Sequence, residues 1–205
     1  MKTLSLKLWY KVLLENFILT ETDANGFQFD RLCKIEREHP GVDWDRTWGL
    51  ASTPGLESCD HTFLWRMVHN ILPTQDRLHR LLRNVDSPAC TLCLSQDTCN
   101  LSHAFFTCSH NSEVGQWLLQ IICRHLPRTV PQQVVLLDLN LDEHLRLPII
   151  WLVAKTLSNI FSCRMDKKAC TLFNTRTSLE ASIMLLRKTR HRKAAETLQN
   201  LVSQS

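Results

Sequence analysis

Four side chains stand out for what they could do together: Cys90 and Cys93, separated by Thr91 and Leu92, then His103 and Cys108. Two thiolates at that spacing form a pincer on one ion, and an imidazole with a third thiolate completes the tetrahedron that Zn²⁺ prefers. A Cys₃His shell leaves no position for water, so such a site would staple two chain segments together and activate no nucleophile. Were 103–108 α-helical throughout, His103 and Cys108 would point ~140° apart, so a helix there is expected to end before Cys108. Cys99 and His110 lie inside or beside the same stretch and are alternative ligands. Cys33, Cys59, Cys123, Cys163 and Cys170 share no such spacing and read as core or surface thiols.

Catalytic chemistry is poorly served. Two-metal phosphoryl transfer needs clustered carboxylates, and the chain contains no Asp-Asp pair. Asp43 and Asp45, on either side of Trp44, read as solvated or capping residues. Ser109 or Ser112 beside His110 lacks a placed acid, and five scattered glycines cannot build a phosphate loop. No catalytic residue is assigned, and the chain is not read as an enzyme.

The elements that must carry these side chains are helical. The 205 residues are 44% hydrophobic and 21% charged, enough to bury a core without disulfides, and 5 Gly with 7 Pro disfavour a turn-dense β fold. The fold class is mainly α, with the Cys/Cys/His/Cys loop in the middle. Apolar residues at helical spacing mark 3–19, a short helix covers 33–38, and His39-Pro40-Gly41 stops it. Residues 61–71 and 74–82 form a helix pair, the second capped by Thr74, expected to pack on the metal loop through Phe63, Leu64, Met67, Leu78 and Leu82. Further helices are expected over 117–126, from Pro131, from Pro148, and from a capping box at Thr177–Glu180, with Leu179, Ile183, Leu186, Ala194, Leu198 and Leu201 buried. Leu137, Leu139 and Leu141 alternate too briefly to mark a strand, and Trp65 and Trp117 are placed in the core. Three segments result: an N-terminal helical flank at 1–58, a zinc-binding domain at 59–118, and a C-terminal helical region with a basic tail at 119–205.

Charge is unevenly spread. The net +4 divides into −3 over residues 1–150 and +7 over 151–205, where 10 Lys/Arg face 3 Asp/Glu. Arg187, Lys188, Arg190, Arg192 and Lys193 form one candidate phosphate surface; Arg66, Arg77, Arg80 and Arg83 on the helix pair form another. The opening shows no secretory signal and the apolar run Leu147–Ala154 is far below a bilayer span, which places the chain inside the cell, in nucleus or cytoplasm, away from membranes.

The run Phe63-Leu64-Trp65-Arg66-Met67-Val68-His69-Asn70-Ile71-Leu72-Pro73-Thr74, then Asp76-Arg77-Leu78, Ser87-Pro88-Ala89-Cys90, Cys93, His103, Cys108 and Trp117, resembles the reverse-transcriptase zinc-binding domain. That domain follows the polymerase in many non-LTR retrotransposon proteins. The resemblance implies one structural zinc per chain and a nucleic-acid-binding accessory module derived from an RNA-directed DNA polymerase polyprotein. Its implied partners are RNA or DNA and the polymerase part of a longer polyprotein, with no small-molecule substrate. The alternative is an orphaned structural or protein-interaction domain that keeps the zinc fold without binding nucleic acid. One departure matters: the family usually carries Glu four residues before the histidine, where this chain has Cys99. A thiol cannot replace that charge and is a potential competitor for the metal.

Overall fold

A computed structural model of the chain describes residues 37–82, 84–93, 95–188 and 191–203. The helix expected over 3–19, Cys33, most of the 33–38 helix, Arg83 and Arg190 lie outside the described residues. The chain divides into Met1–Gly41, of which only residues 37–41 are described, and a compact unit Val42–Ser205. Among its described residues this unit contains helices and no strand: α1 Trp44–Ala51, α2 Ser58–Val68, α3 Gln75–Leu81, a π-helical turn His103–Thr107, α4 Ser112–His125, α5 Pro131–Leu136, α6 Glu143–Met165, α7 Leu172–Arg187 and α8 Arg192–Ser203. The mainly α expectation holds.

The centre of the unit is α6. Ile149 to Ala154 are consecutive and all buried, so this helix is apolar on every side, the pattern of a helix enclosed by others. It packs against α2, α4, α7 and α8. Leu50, Leu64, Leu118, Leu152 and Leu198 therefore share one core, although they come from all three segments drawn on the sequence. Polar ties close the edges: the Thr47 hydroxyl donates to the Leu136 carbonyl (3.1 Å), and the Arg146 side chain reaches the Gly49 carbonyl and the Thr53 hydroxyl.

Several helix limits differ from the sequence expectation. α6 begins at Glu143, five residues before Pro148, because the Leu145 and Arg146 amides bond the Asp142 carbonyl at 2.9 and 3.0 Å; a proline early in a helix forfeits one hydrogen bond without ending it. The capping box expected at Thr177–Glu180 lies inside α7. The cap is instead Thr171, whose hydroxyl accepts the Asn174 N–H (3.3 Å), while the Thr177 hydroxyl donates back to the Phe173 carbonyl (3.0 Å). The expected single last helix is two helices, α7 and α8, packed on each other, with Ala195 rather than Ala194 in the stripe. Leu78 and Leu82 are only half-buried and outside the core, and α3 meets the loop through polar groups: Asp76 N–H to the Cys99 carbonyl (3.3 Å) and the Gln75 amide to the Ser87 carbonyl (3.2 Å). Trp117 is buried, but Trp65 is 41% exposed, its ring lying over His69, which Trp48 covers on another side.

One glycine decides how α4 approaches the turn that carries His103. A Cβ at Gly115 would sit 2.0 Å from the Phe105 carbonyl oxygen, which is backbone and cannot rotate away. Gln116 then donates to the Phe106 carbonyl (2.9 Å), satisfying an acceptor within the π-helical turn. Gly115→Ala is expected to destabilise the protein by about 2 kcal/mol, overpacking outweighing the helix propensity gained. Gly41→Ala, with nothing among the described residues within 4 Å of the new methyl, should stay within about 0.5 kcal/mol. Urea unfolding midpoints of the two variants check the contrast.

Candidate metal centre

Two short pieces of chain deliver four donor atoms. The first is the Cys90–Cys93 pincer, held by an isolated antiparallel bridge between Ala89 and Thr98 in which the Cys99 N–H bonds the Pro88 carbonyl (2.9 Å) and the Cys90 N–H the Asp97 carbonyl (3.3 Å). The second begins at Asn100, whose side chain accepts the His103 N–H (2.8 Å), and runs through the π-helical turn. Here the Cys108 N–H bonds the His103 carbonyl (2.8 Å), an i→i+5 closure that stacks the two ligands closer in angle than α winding would. Cys108 itself is extended (φ −65°, ψ 121°), so the helix does end before it.

The Sγ atoms of Cys90, Cys93 and Cys108 and a ring nitrogen of His103 all lie within 4.8 Å of one another. Cys90 and Cys108 sulfurs are 3.8 Å apart, and the Cys93 sulfur is 3.4 Å from His103 Nε2. A tetrahedron with metal–sulfur bonds of ~2.3 Å and metal–nitrogen bonds of ~2.0 Å has S···S edges of about 3.8 Å and S···N edges of about 3.5 Å. The donor set therefore fits a tetrahedral zinc, and the sulfur separation is far beyond a disulfide bond of ~2.05 Å. His103 Nδ1 faces the Thr107 hydroxyl at 3.2 Å, which leaves Nε2 for the metal.

The electrostatics of the pincer are asymmetric. Burial opposes ionisation of Cys90, but the Leu92 and Cys93 amides and the Arg164 guanidinium outweigh it and bring its thiol down to about 5. Burial, together with the neighbouring Cys90 and Cys108 sulfurs, pushes Cys93 up to about 11. A divalent metal held among these sulfurs would supply the positive charge that clustered thiolates lack.

The alternative ligands stay outside this cluster. Cys99 is buried, its thiol pushed up to about 11 chiefly by burial, and it receives the Arg164 Nη2 at 3.1 Å. His110 is half-buried and is not among the clustered donors. Arg164, Thr107 and Asn100 escaped the sequence reading. Asn100 had a local signal, an amide residue three positions before the histidine; Arg164 lies 61 residues beyond His103 and had none.

Of the candidate phosphate-binding residues, Arg66 and Arg77 are half-buried and Arg80 pairs with Asp76 (2.6 Å). Arg187, Lys188, Arg192 and Lys193 are exposed, Arg192 bonding Glu196 (3.1 Å). They do not follow one another around a single helix as expected, because the run spans the end of α7 and the first turn of α8.

A second gathering of potential ligands, Glu57, Cys59 and Asp60 at the start of α2, is already occupied by an internal cation. The Lys155 ammonium lies 2.8 Å from Glu57 and 3.1 Å from Asp60, whose side chain is 4% exposed. Hydrogen bonding and charge from Lys155 hold the Glu57 carboxyl below its usual value of 4.5. Burial works against the Lys155 charge, yet the two carboxylates outweigh it and raise its pKa.

A family model described as zinc-binding in reverse transcriptase matches residues 25–115, a range that contains all four clustered donors. No curated protein and no solved structure matches the chain. Among the described residues no helix is long and apolar enough to cross a membrane.

Lys155→Met should cost about 3 kcal/mol or more in urea unfolding, because it strands the buried Asp60 carboxylate, and Asp60→Asn added to it should recover most of the loss. The contribution of Glu57 is full above pH 4.5 and fades as the pH falls through its lowered folded value. Acid should therefore weaken the wild type more than the Lys155→Met protein as the pH falls below 4.5.

Proposed function

From the reverse-transcriptase zinc-binding domain carried by residues 25–115, we propose that this protein is a non-enzymatic, nucleic-acid-binding accessory module built around one structural zinc. The observation that carries the reading is the convergence of three sulfurs and one imidazole inside the matched segment at tetrahedral spacing. Four protein donors fill the shell, so the metal supplies folding free energy and holds no reactive water. Cys90, Cys93, His103 and Cys108 hold the ion, and Thr107 orients the imidazole. The polyanion surface is the α7–α8 corner, where Arg187, Lys188, Arg192 and Lys193 are exposed and carry charge to phosphate without reading bases. RNA and DNA are both partners on this account, and the polymerase part of a longer polyprotein is a third; nucleus or cytoplasm is where they would meet.

A second reading is a protein-interaction module, and one observation favours it. Phe173 and Met184, 77% and 61% exposed, stand eleven residues apart on α7, close to three turns and so on one stripe of that helix.

Metal analysis of purified protein should return one zinc per chain, and Cys93→Ser should lose the metal and melt the 85–108 region in hydrogen exchange; folded protein free of zinc would contradict the assignment. Replacing Arg187, Lys188, Arg192 and Lys193 by Gln should leave zinc content intact and weaken binding to single-stranded RNA and DNA oligonucleotides, read by fluorescence anisotropy. The log–log salt slope should flatten by roughly one per lost contact. Unchanged affinity and slope would move the assignment to the protein-interaction reading.

A further inference from the structure

A cation beside the metal centre comes from outside the matched segment. Arg164, in the last turn of α6, directs Nη2 at the Cys99 sulfur (3.1 Å) and the Cys90 sulfur (3.6 Å) and Nη1 at the Ala104 carbonyl (3.5 Å). The orientation of the Asn111 amide that satisfies both its polar atoms has its oxygen accepting from Arg164 Nη1 (3.2 Å) and its nitrogen donating to the His110 carbonyl (2.9 Å). Sulfur, carbonyl and amide oxygen make up these contacts; among the described residues no carboxylate joins them. Among these contacts the Cys90 sulfur, one of the four clustered donors, is a group that can bring this half-buried guanidinium a negative charge in a site shielded from water.

Three thiolates around a divalent zinc leave the loaded site with one net negative charge. A single positive charge beside Cys90 balances it, and the N–H···S bond draws electron density from the ligand sulfur. We infer that Arg164 is the counter-cation of the loaded Cys90/Cys93/His103/Cys108 site, a positioning residue that makes α6 part of the metal centre. The inference rests on the zinc reading above and adds that the ion and the C-terminal helices stabilise each other. Because coupling is reciprocal, zinc must tighten the end of α6 as much as α6 tightens zinc.

The test compares zinc affinity, measured against a chromophoric chelator, in the full-length wild type, Arg164→Gln, Arg164→Met and Arg164→Lys. The two neutral variants should lose ~10–100-fold, the usual cost of removing such a partner, and Arg164→Lys should recover most of it. With cobalt(II) in place of zinc, the thiolate-to-metal charge-transfer band should move to lower energy in the neutral variants, since the Cys90 sulfur becomes more electron-rich. Equal affinities across wild type and neutral variants, or equal losses for Lys and the neutral pair, would overturn the inference while leaving the zinc site standing. A wild type that binds no zinc would overturn both. Independently of any variant, zinc should slow amide exchange over residues 157–165 of the wild type; exchange there indifferent to zinc would also defeat the inference.

Discussion

Three sulfurs and an imidazole have to meet within a few ångströms, and the chain around them has little else to hold it. Apart from the main core, the buried apolar residues near the pincer among the described residues are Cys90, Cys99, Ala104 and Cys108, with Leu92 and Cys93 partly covered. At about 25 cal/mol per Å² of apolar surface, four small side chains give too little hydrophobic free energy to order the long stretch between α3 and the π-helical turn. The stretch is tied by the bridge between Ala89 and Thr98 and by the bonds of Asp76 and Gln75 to it, and a metal held by the four donors would add to these.

The π-helical turn joins this weakly packed region to the well-packed one. Phe105 and Phe106 are fully buried in the main core, while His103 and Cys108, on the same few residues, serve the donor cluster. Ring contacts run from Phe105 to Phe63 on α2, and Phe63 in turn meets Phe161 on α6. The imidazole is thus placed by packing that reaches the central helix, whereas the pincer is placed by local backbone hydrogen bonds.

Local patterns were legible in the sequence and distant ones were not. The spacing of Cys90, Cys93, His103 and Cys108 points to four side chains that the fold brings together, because coordination chemistry is written in short intervals. Thr74 caps α3 as its place in the sequence predicts: its hydroxyl accepts the Arg77 N–H (3.4 Å). The same rule failed at Thr177, since a hydroxyl within a helix can bond backward to a carbonyl, and Thr171 was available six residues earlier. Amphipathic spacing put Leu78 and Leu82 in the core, but α3 is short and meets the loop through Asp76 and Gln75, so its apolar side finds no deep partner. Trp65, expected in the core, instead lies tilted over His69 and stays partly in water. Nothing local could announce Arg164; only the folded path of α6 brings it to Cys90 and Cys99.

The matched segment ends at residue 115, and α4 runs from Ser112 to His125. The recognisable signature therefore stops one turn into a helix whose remaining buried side chains, Trp117, Leu118, Ile121 and Ile122, complete the hydrophobic seat beneath the π-helical turn. A fragment cut at that limit would lose the seat and present the apolar faces of Phe105 and Phe106 to water. The matched stretch is thus smaller than the hydrophobic unit that it belongs to. Any transplant of this metal loop into another protein has to carry the helices beyond the pattern, or find in its new host a surface of the same shape.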